Sequence, residues 1–213
     1  MLTVFEIYAS IQGESTHAGR PCAFVRLAGC DLRCEWCDTP YAFTGGTKMT
    51  IDEVVAAVDA LRLGLVEITG GEPMLQADAP ALMGRLVARG YAVLLETGGH
   101  IPLDEVPDEV IVILDVKCPA SGEAPHMHWP NLDQLSAHDE VKFVITGRAD
   151  FDYACDVVRR YDLATRAAAI LFSPVHDVLA PRELARWILD AGVPVRLQIQ
   201  AHKYIWDKDA RGV

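Results

Sequence analysis

Apolar runs rich in β-branched residues recur along the chain: "AFVRLAG" (23–29), "LVEIT" (65–69), "AVLLE" (92–96), "VIVILDV" (110–116), "VKFVI" (141–145), "AAILF" (168–172) and "VRLQI" (195–199). Near-continuous runs of this length predict parallel strands covered on both faces. Between several of them the period becomes helical. "TIDEVVAAVDAL" opens with Thr50 and Glu53 in capping-box spacing and repeats Ile51, Val54, Val55 and Val58 along one face. "DAPALMGRLVARG" offers an Asp78 cap, an early Pro80 and a closing Gly90; "DFDYACDVVRRY" offers Asp150, and "APRELARWILDAG" offers Pro181 and Gly192.

Alternating strand and helix predict an α/β fold with a parallel sheet, curled or open. The strands fall short of an eight-stranded barrel, which usually takes about 250 residues. The expectation is a partial, open (β/α) barrel of about six parallel strands, with an extra N-terminal strand near "TVFEIYAS", in one domain over 1–213. The stretch 118–135 is the least regular and predicts a long loop or short helix beside the site.

Composition narrows the partners. Lys and Arg total 19 against 30 Asp and Glu, a net charge of -11 that would repel a phosphate backbone, so direct nucleic-acid binding is not expected. The first residues lack a basic region ahead of an apolar run, and no stretch approaches the roughly 18 uninterrupted apolar residues of a membrane span. A cytoplasmic location is expected. Six cysteines are too sparse for a disulfide scaffold. Cys22, Cys118 and Cys155 stand apart and read as buried small apolar residues.

"GCDLRCEWCDTPYAF" (29–43) is different, because Cys30, Cys34 and Cys37 crowd into one loop. At C-x3-C-x2-C spacing three thiolates can hold three corners of a cubane iron-sulfur cluster, leaving the fourth iron open to a substrate or cofactor. A zinc site from Cys34, Cys37 and ligands among Cys30, His17 or a distant His is the structural alternative, although no second C-x2-C is present. A redox C-x2-C would leave Cys30 without a role.

In a βα architecture function gathers at the carboxyl ends of the strands. After "FVRLAG" come the cysteines, after "LVEIT" comes "GGEP", and after "AVLLE" comes "TGGH"; "VILDVK" ends in Asp115 and Lys117, "AILF" runs into Ser173 and Pro174, and "VRLQI" into "QAHKY". Paired glycines after a strand let backbone approach a bound molecule; the plainer reading is a tight turn with Glu72 capping the next helix.

"CDLRCEWC" together with "TGGEP" resembles the radical S-adenosylmethionine superfamily. "SIQGEST", "FVRLAGC", "CDTPYAF", "TGGEPMLQ", "ETGG" and "QAHKY", spread over residues 10–204, resemble its 7-carboxy-7-deazaguanine synthase family of the queuosine pathway. The resemblance implies a lyase that contracts 6-carboxy-5,6,7,8-tetrahydropterin to 7-carboxy-7-deazaguanine with loss of ammonia. It implies a 4Fe-4S cluster on Cys30, Cys34 and Cys37, S-adenosyl-L-methionine and Mg²⁺. One electron entering the cluster would cleave the sulfonium, and the 5'-deoxyadenosyl radical would take hydrogen from C6 of the pterin.

Carried over by motif, Ile11, Gln12, Gly13 and Glu14 would hold the pterin's polar edge, Arg26 its carboxylate, and Thr69, His202 and the terminal Val213 would touch it. Trp36, Cys37, Asp38, Gly70, Gly71, Glu72, Asp115, Val116, Lys117, Ser173 and Pro174 would line the S-adenosylmethionine pocket, with Glu96 assisting the ribose and Thr39 on Mg²⁺. A guanidinium can grip a carboxylate by two parallel hydrogen bonds, and a small hard cation takes few protein ligands. The family also implies a homodimer served by a one-electron donor such as a flavodoxin or ferredoxin. Two rivals are an activase acting on a glycine of a partner enzyme, which needs an open groove, and a zinc-stabilised interaction module.

Overall fold

The structure is a computed structural model that describes residues 1–207 and 210–212. Its strands are β1 (Leu2–Ile11), β2 (Pro21–Leu27), β3 (Thr47–Met49), β4 (Leu65–Gly70), β5 (Ala92–Thr97), β6 (Ile111–Asp115), β7 (Glu140–Ile145), β8 (Ala169–Pro174) and β9 (Arg196–Leu197). They form one sheet in the order β3-β1-β2-β4-β5-β6-β7-β8-β9. β1 runs antiparallel to β2 and β3, while every pair from β2 to β9 is parallel. The first and last strands do not meet, so the barrel is open, with the extra N-terminal strand where the pattern placed it.

Two details differ from the pattern. β3 is a three-residue strand that no apolar run announces. β9 keeps only Arg196 and Leu197 of "VRLQI"; Gln198 N–H still donates to Phe172 O at 2.9 Å, while its side chain reaches Ser15 and Glu14.

The helices are α1 (Ile51–Leu61), α2 (Ala79–Ala88), α3 (Asn131–Gln134), α4 (Arg148–Arg160), α5 (Leu163–Arg166), α6 (Pro181–Ala191) and α7 (His202–Ile205). Thr50 and Glu53 form the expected capping box on α1: Glu53 N–H donates to Thr50 Oγ1 at 3.2 Å, and Thr50 N–H donates to Glu53 at 2.7 Å. Two expected caps serve elsewhere. Asp78 sits at the N-cap of α2 without capping it and pairs with the Met1 ammonium. Asp150 lies inside the first turn of α4, where it accepts from Thr146 N–H at 3.1 Å and Ala120 N–H at 3.1 Å, tying the 118–135 segment to the sheet. That segment is short turns followed by α3.

Strand residues of one phase, such as Val25, Ile68, Leu95, Leu114, Phe143 and Phe172, pack under the helices in the main core with Cys118 and Cys155. The other phase faces the concave side and changes character with height. Cys22, Phe24, Leu65, Leu94 and Ile113 form an apolar floor. Nearer the carboxyl ends the same faces carry Arg26, Thr69, Glu96, Asp115 and Lys142, all buried or half-buried. All three isolated cysteines are buried, as the sequence suggested.

Candidate active site

A cavity of about 790 Å³ opens above the apolar floor at the carboxyl ends of the strands. Each of five strands contributes one charged side chain from an otherwise apolar run: Arg26, Glu67, Glu96, Asp115 and Lys142. A lone charge in the inward phase of a buried strand was the signal for Glu67 and Lys142, which motif reading passed over.

Cys30, Cys34 and Cys37 are free, half-buried and face this cavity. Their loop is held from several sides. Gly29 N–H donates to Ala42 O at 2.9 Å, Arg33 N–H to Glu123 at 2.8 Å, Glu35 N–H to Ser121 O at 3.2 Å, and Asp31 pairs with His100 at 2.6 Å. The Gly-Gly-Glu turn closes the fourth side, with Gly71 N–H on Leu27 O at 3.1 Å and Glu72 N–H on Gly29 O at 2.8 Å. A Cβ on Gly71 would fall 2.7 Å from that of Cys30, and one on Gly70 would strike the Leu27 carbonyl. These glycines therefore admit the cysteine loop itself. Burial raises the Cys30 thiol to about 11 and moves Cys34 upward, so ligation displaces a proton from each.

Glu72 is buried and points back into the fold, accepting from Met74 N–H at 3.0 Å, Gly98 N–H at 2.8 Å and Thr97 Oγ1 at 2.9 Å. With both turn N–H groups engaged, what this turn offers a ligand amine is its carbonyl oxygens, which are the partners an amine donor needs.

On the opposite wall, the Glu14 carboxylate accepts from Lys142 Nζ at 2.9 Å, Gln200 Nε2 at 2.9 Å and Gln198 Nε2 at 3.2 Å. Burial pushes its pKa up, but Lys142, His202 and the Gln200 amide outweigh that and hold it at about 2. Glu96 also bonds Lys142, yet burial dominates and lifts it to about 7. Glu67 sits lower, in register with Phe24 and Leu94, and burial beside Glu96 and Glu14 raises it well above the usual carboxylate range. Burial also lowers His202, against the pull of Glu14.

Arg26 donates from Nε to Glu6 at 2.7 Å and from Nη2 to Tyr8 Oη at 2.8 Å, and still lines the cavity. Arg26 is thus at once half of an ion pair with Glu6 and a cation lining the cavity. The tail folds back over the cavity. Ala201 N–H bonds Gly13 O at 2.9 Å, Lys203 lies 3.5 Å from Asp38, and the Arg211 guanidinium stacks 4.3 Å over Tyr41. A Cβ at Gly13 would strike His202, so that glycine admits the tail.

Of the residues singled out in the sequence, Ile11, Gly13, Glu14, Arg26, Trp36, Asp38, Thr39, Thr69, Gly70, Gly71, Glu72, Asp115, Lys117 and His202 line the cavity with the three cysteines. Gln12 does not; it is buried, bonding Glu67 with its amide nitrogen and accepting from Glu14 N–H at 2.9 Å. Val116 is packed in the core, Ser173 is buried, and Pro174 lines an adjoining cavity of about 350 Å³. Val213 lies outside the described residues.

Three thiols facing one cavity fit a cluster ligated on three corners. Among the described residues no three or more His, Cys, Asp or Glu side chains converge as a single ion requires. The fit to a further bound group is supported by Asp115, whose Oδ1 is buried without a partner while Oδ2 accepts from Lys117 at 3.0 Å. No helix among the described residues is long and apolar enough to cross a membrane.

Comparison with known proteins agrees with this geometry. Residues 25–166 match the Radical SAM superfamily. The chain is 48% identical to a 7-carboxy-7-deazaguanine synthase of Koribacter versatilis, with all of both chains aligned. It is 46% identical to one of Chlorobaculum tepidum, over all of this chain and 97% of that one. Among solved structures, QueE from Escherichia coli superposes with a TM-score of 0.71 over 94% of each chain, at 21% identity, and shares the fold. The chain belongs to the 7-carboxy-7-deazaguanine synthase family of the radical S-adenosylmethionine superfamily.

Proposed function

We propose that the chain is a carbon-nitrogen lyase of queuosine biosynthesis that contracts 6-carboxy-5,6,7,8-tetrahydropterin to 7-carboxy-7-deazaguanine with loss of ammonia. The full-length alignment with synthases of that name carries the reading. The cavity, walled in part by the tail residues Gln200, His202, Lys203 and Arg211, suits a small molecule better than the open groove an activase needs.

When bound, the cluster and S-adenosylmethionine supply one-electron hydrogen-atom chemistry that side chains do not offer. The residues around them position and shield. Cys30, Cys34 and Cys37 hold the cluster, the carbonyls of the Gly70–Glu72 turn take the amine, and Trp36, Asp38, Asp115 and Lys117 line the rest of that pocket. Glu6 and Tyr8 use two of the five donors of Arg26, and the others remain for the pterin carboxylate. Glu14 is ionised, and its three amine and amide donors leave one of about four acceptor positions for a pterin N–H. Thr69 and His202 flank that edge. Gln12 acts through Glu14 and Glu67.

Thr39 would be the protein's ligand to Mg²⁺, a small hard cation that takes few protein ligands. Its hydroxyl makes no cap bond to the turn it precedes. The tail residues Gln200, Lys203 and Arg211 shield the site from water. The enzyme works in the cytoplasm as a homodimer and draws electrons from a flavodoxin or ferredoxin.

The test is anoxic turnover by reconstituted protein with reductant, Mg²⁺ and 6-carboxytetrahydropterin. The expected products are the deazapurine and ammonia; no deazapurine from cluster-loaded protein overturns the substrate assignment.

A further inference from the structure

Lys142 stands where three walls of the cavity meet. Its ammonium donates to Glu14, from the β1–β2 connection, at 2.9 Å, and to Glu96, from the end of β5. Its third carboxylate neighbour, Asp115 at the end of β6, is 3.7 Å away, beyond a hydrogen bond. An ammonium has three N–H donors, so the third direction is aimed but not closed.

Asp115 is 7% exposed, lines the cavity, and keeps Oδ1 buried without a partner. Burial opposes the charge on Lys142, yet Glu14, Glu96 and Asp115 keep it protonated. In so dry a site, charges a few ångströms apart respond strongly to one another.

We propose that Lys142 is a positioning residue that couples the two sides of the cavity, so that a ligand on Glu14 strengthens the binding of a ligand on Asp115, and the reverse. The coupling rests on the proposed function, in which Glu14 meets the pterin and Asp115 meets S-adenosylmethionine. A pterin N–H in the fourth acceptor position of Glu14 draws on that carboxylate's charge and weakens its hold on the ammonium. The ammonium is then free to swing toward Asp115 and close the 3.7 Å gap. Asp115, fixed between Lys117 and Lys142, presents Oδ1 to a hydroxyl or amine of the cofactor. Thermodynamic linkage makes the effect equal in both directions.

The experiment is anoxic titration calorimetry on cluster-loaded protein with the cluster kept oxidised, so that no turnover occurs. S-adenosylmethionine is titrated with and without saturating 6-carboxytetrahydropterin. In the parent protein the pterin is expected to tighten cofactor binding about tenfold, within the common range of coupling. Lys142→Met should bring that factor to about one, and Lys142→Arg, which keeps the charge, should restore part of it. A purely structural role would weaken either ligand without changing the factor.

Independent affinities in the parent, or an undiminished factor in folded Lys142→Met, overturn the coupling alone. Should Lys142→Met fail to fold, Asp115→Asn takes its place: it keeps the side-chain shape, is expected to lose the factor, and overturns the proposal if it keeps it. A parent protein that binds S-adenosylmethionine but no pterin overturns the substrate reading, and the coupling with it.

Discussion

The floor and the rim of the concave face are built from the same strands, two residues apart. Phe24 is followed by Arg26, Leu94 by Glu96 and Ile113 by Asp115. The alternation of a strand decides only which face a side chain takes; height along the strand decides its chemistry. Apart from the buried Glu67, whose pKa burial raises well above the usual carboxylate range, the floor is apolar and so can be close-packed. The rim crowds carboxylates around Lys142 and Lys117, where burial makes each charge count. The floor is therefore part of the site's electrostatics, although no reacting group sits on it.

The strongest way to break this comparison is to move rim chemistry down one step. Leu94→Glu would set a second carboxyl beside Glu67, its register neighbour, in a register row that runs Phe24, Glu67, Leu94 and Ile111 without a cation. An uncompensated buried charge costs about 3–5 kcal/mol, which should show as a large loss of stability in urea denaturation. A loss under about 1 kcal/mol would mean that the floor is wet or easily deformed.

Much of this architecture is legible in the sequence. Doubly covered strands read as apolar runs, and the capping box of α1 is local, so Thr50 and Glu53 behave as their spacing says. Asp78 and Asp150 look the same locally, but Met1 in one case and Thr146 with Ala120 in the other claim their carboxylates. The site divides in the same way. The cysteines and the Gly-Gly-Glu turn are contiguous and readable, whereas Lys142 meets Glu14 across 128 residues and Gln200 meets it across 186. Spacing carries no signal for such pairs; only the oddity of one charge in an apolar strand does.

A smaller effect sharpens the contrast by pH. The Glu96 carboxyl is raised from its ordinary 4.5 to about 7, chiefly by burial. The folded protein thus holds this proton more tightly than the unfolded chain does. The resulting loss of stability is absent below about 4.5, grows as pH rises, and is complete above about 7. Glu14 works the other way: held at about 2, it stabilises above 4.5 and loses that contribution as pH falls toward 2. Glu96→Gln cannot ionise, so denaturation at a series of pH values should show a flatter profile between 4.5 and 7 and a parallel one below. An unchanged slope in the variant would remove Glu96 as its source.

The smallest effect compares two cysteines eight residues apart. Cys22 is fully buried in the floor, where its thiol reaches the Ala23 carbonyl at 3.6 Å; Cys30 stands at the rim with its loop. Cys22→Ala removes one sulfur from a packed layer and should cost about 1 kcal/mol, as small core deletions do. Iron and sulfide per chain, measured after anoxic reconstitution, should not change. If iron fell while the fold held, the floor would be touching the ligand chemistry. If neither iron nor stability moved, the layer under the rim would be looser than a close-packed support, and the dryness that strengthens the Lys142 cluster would need another cause.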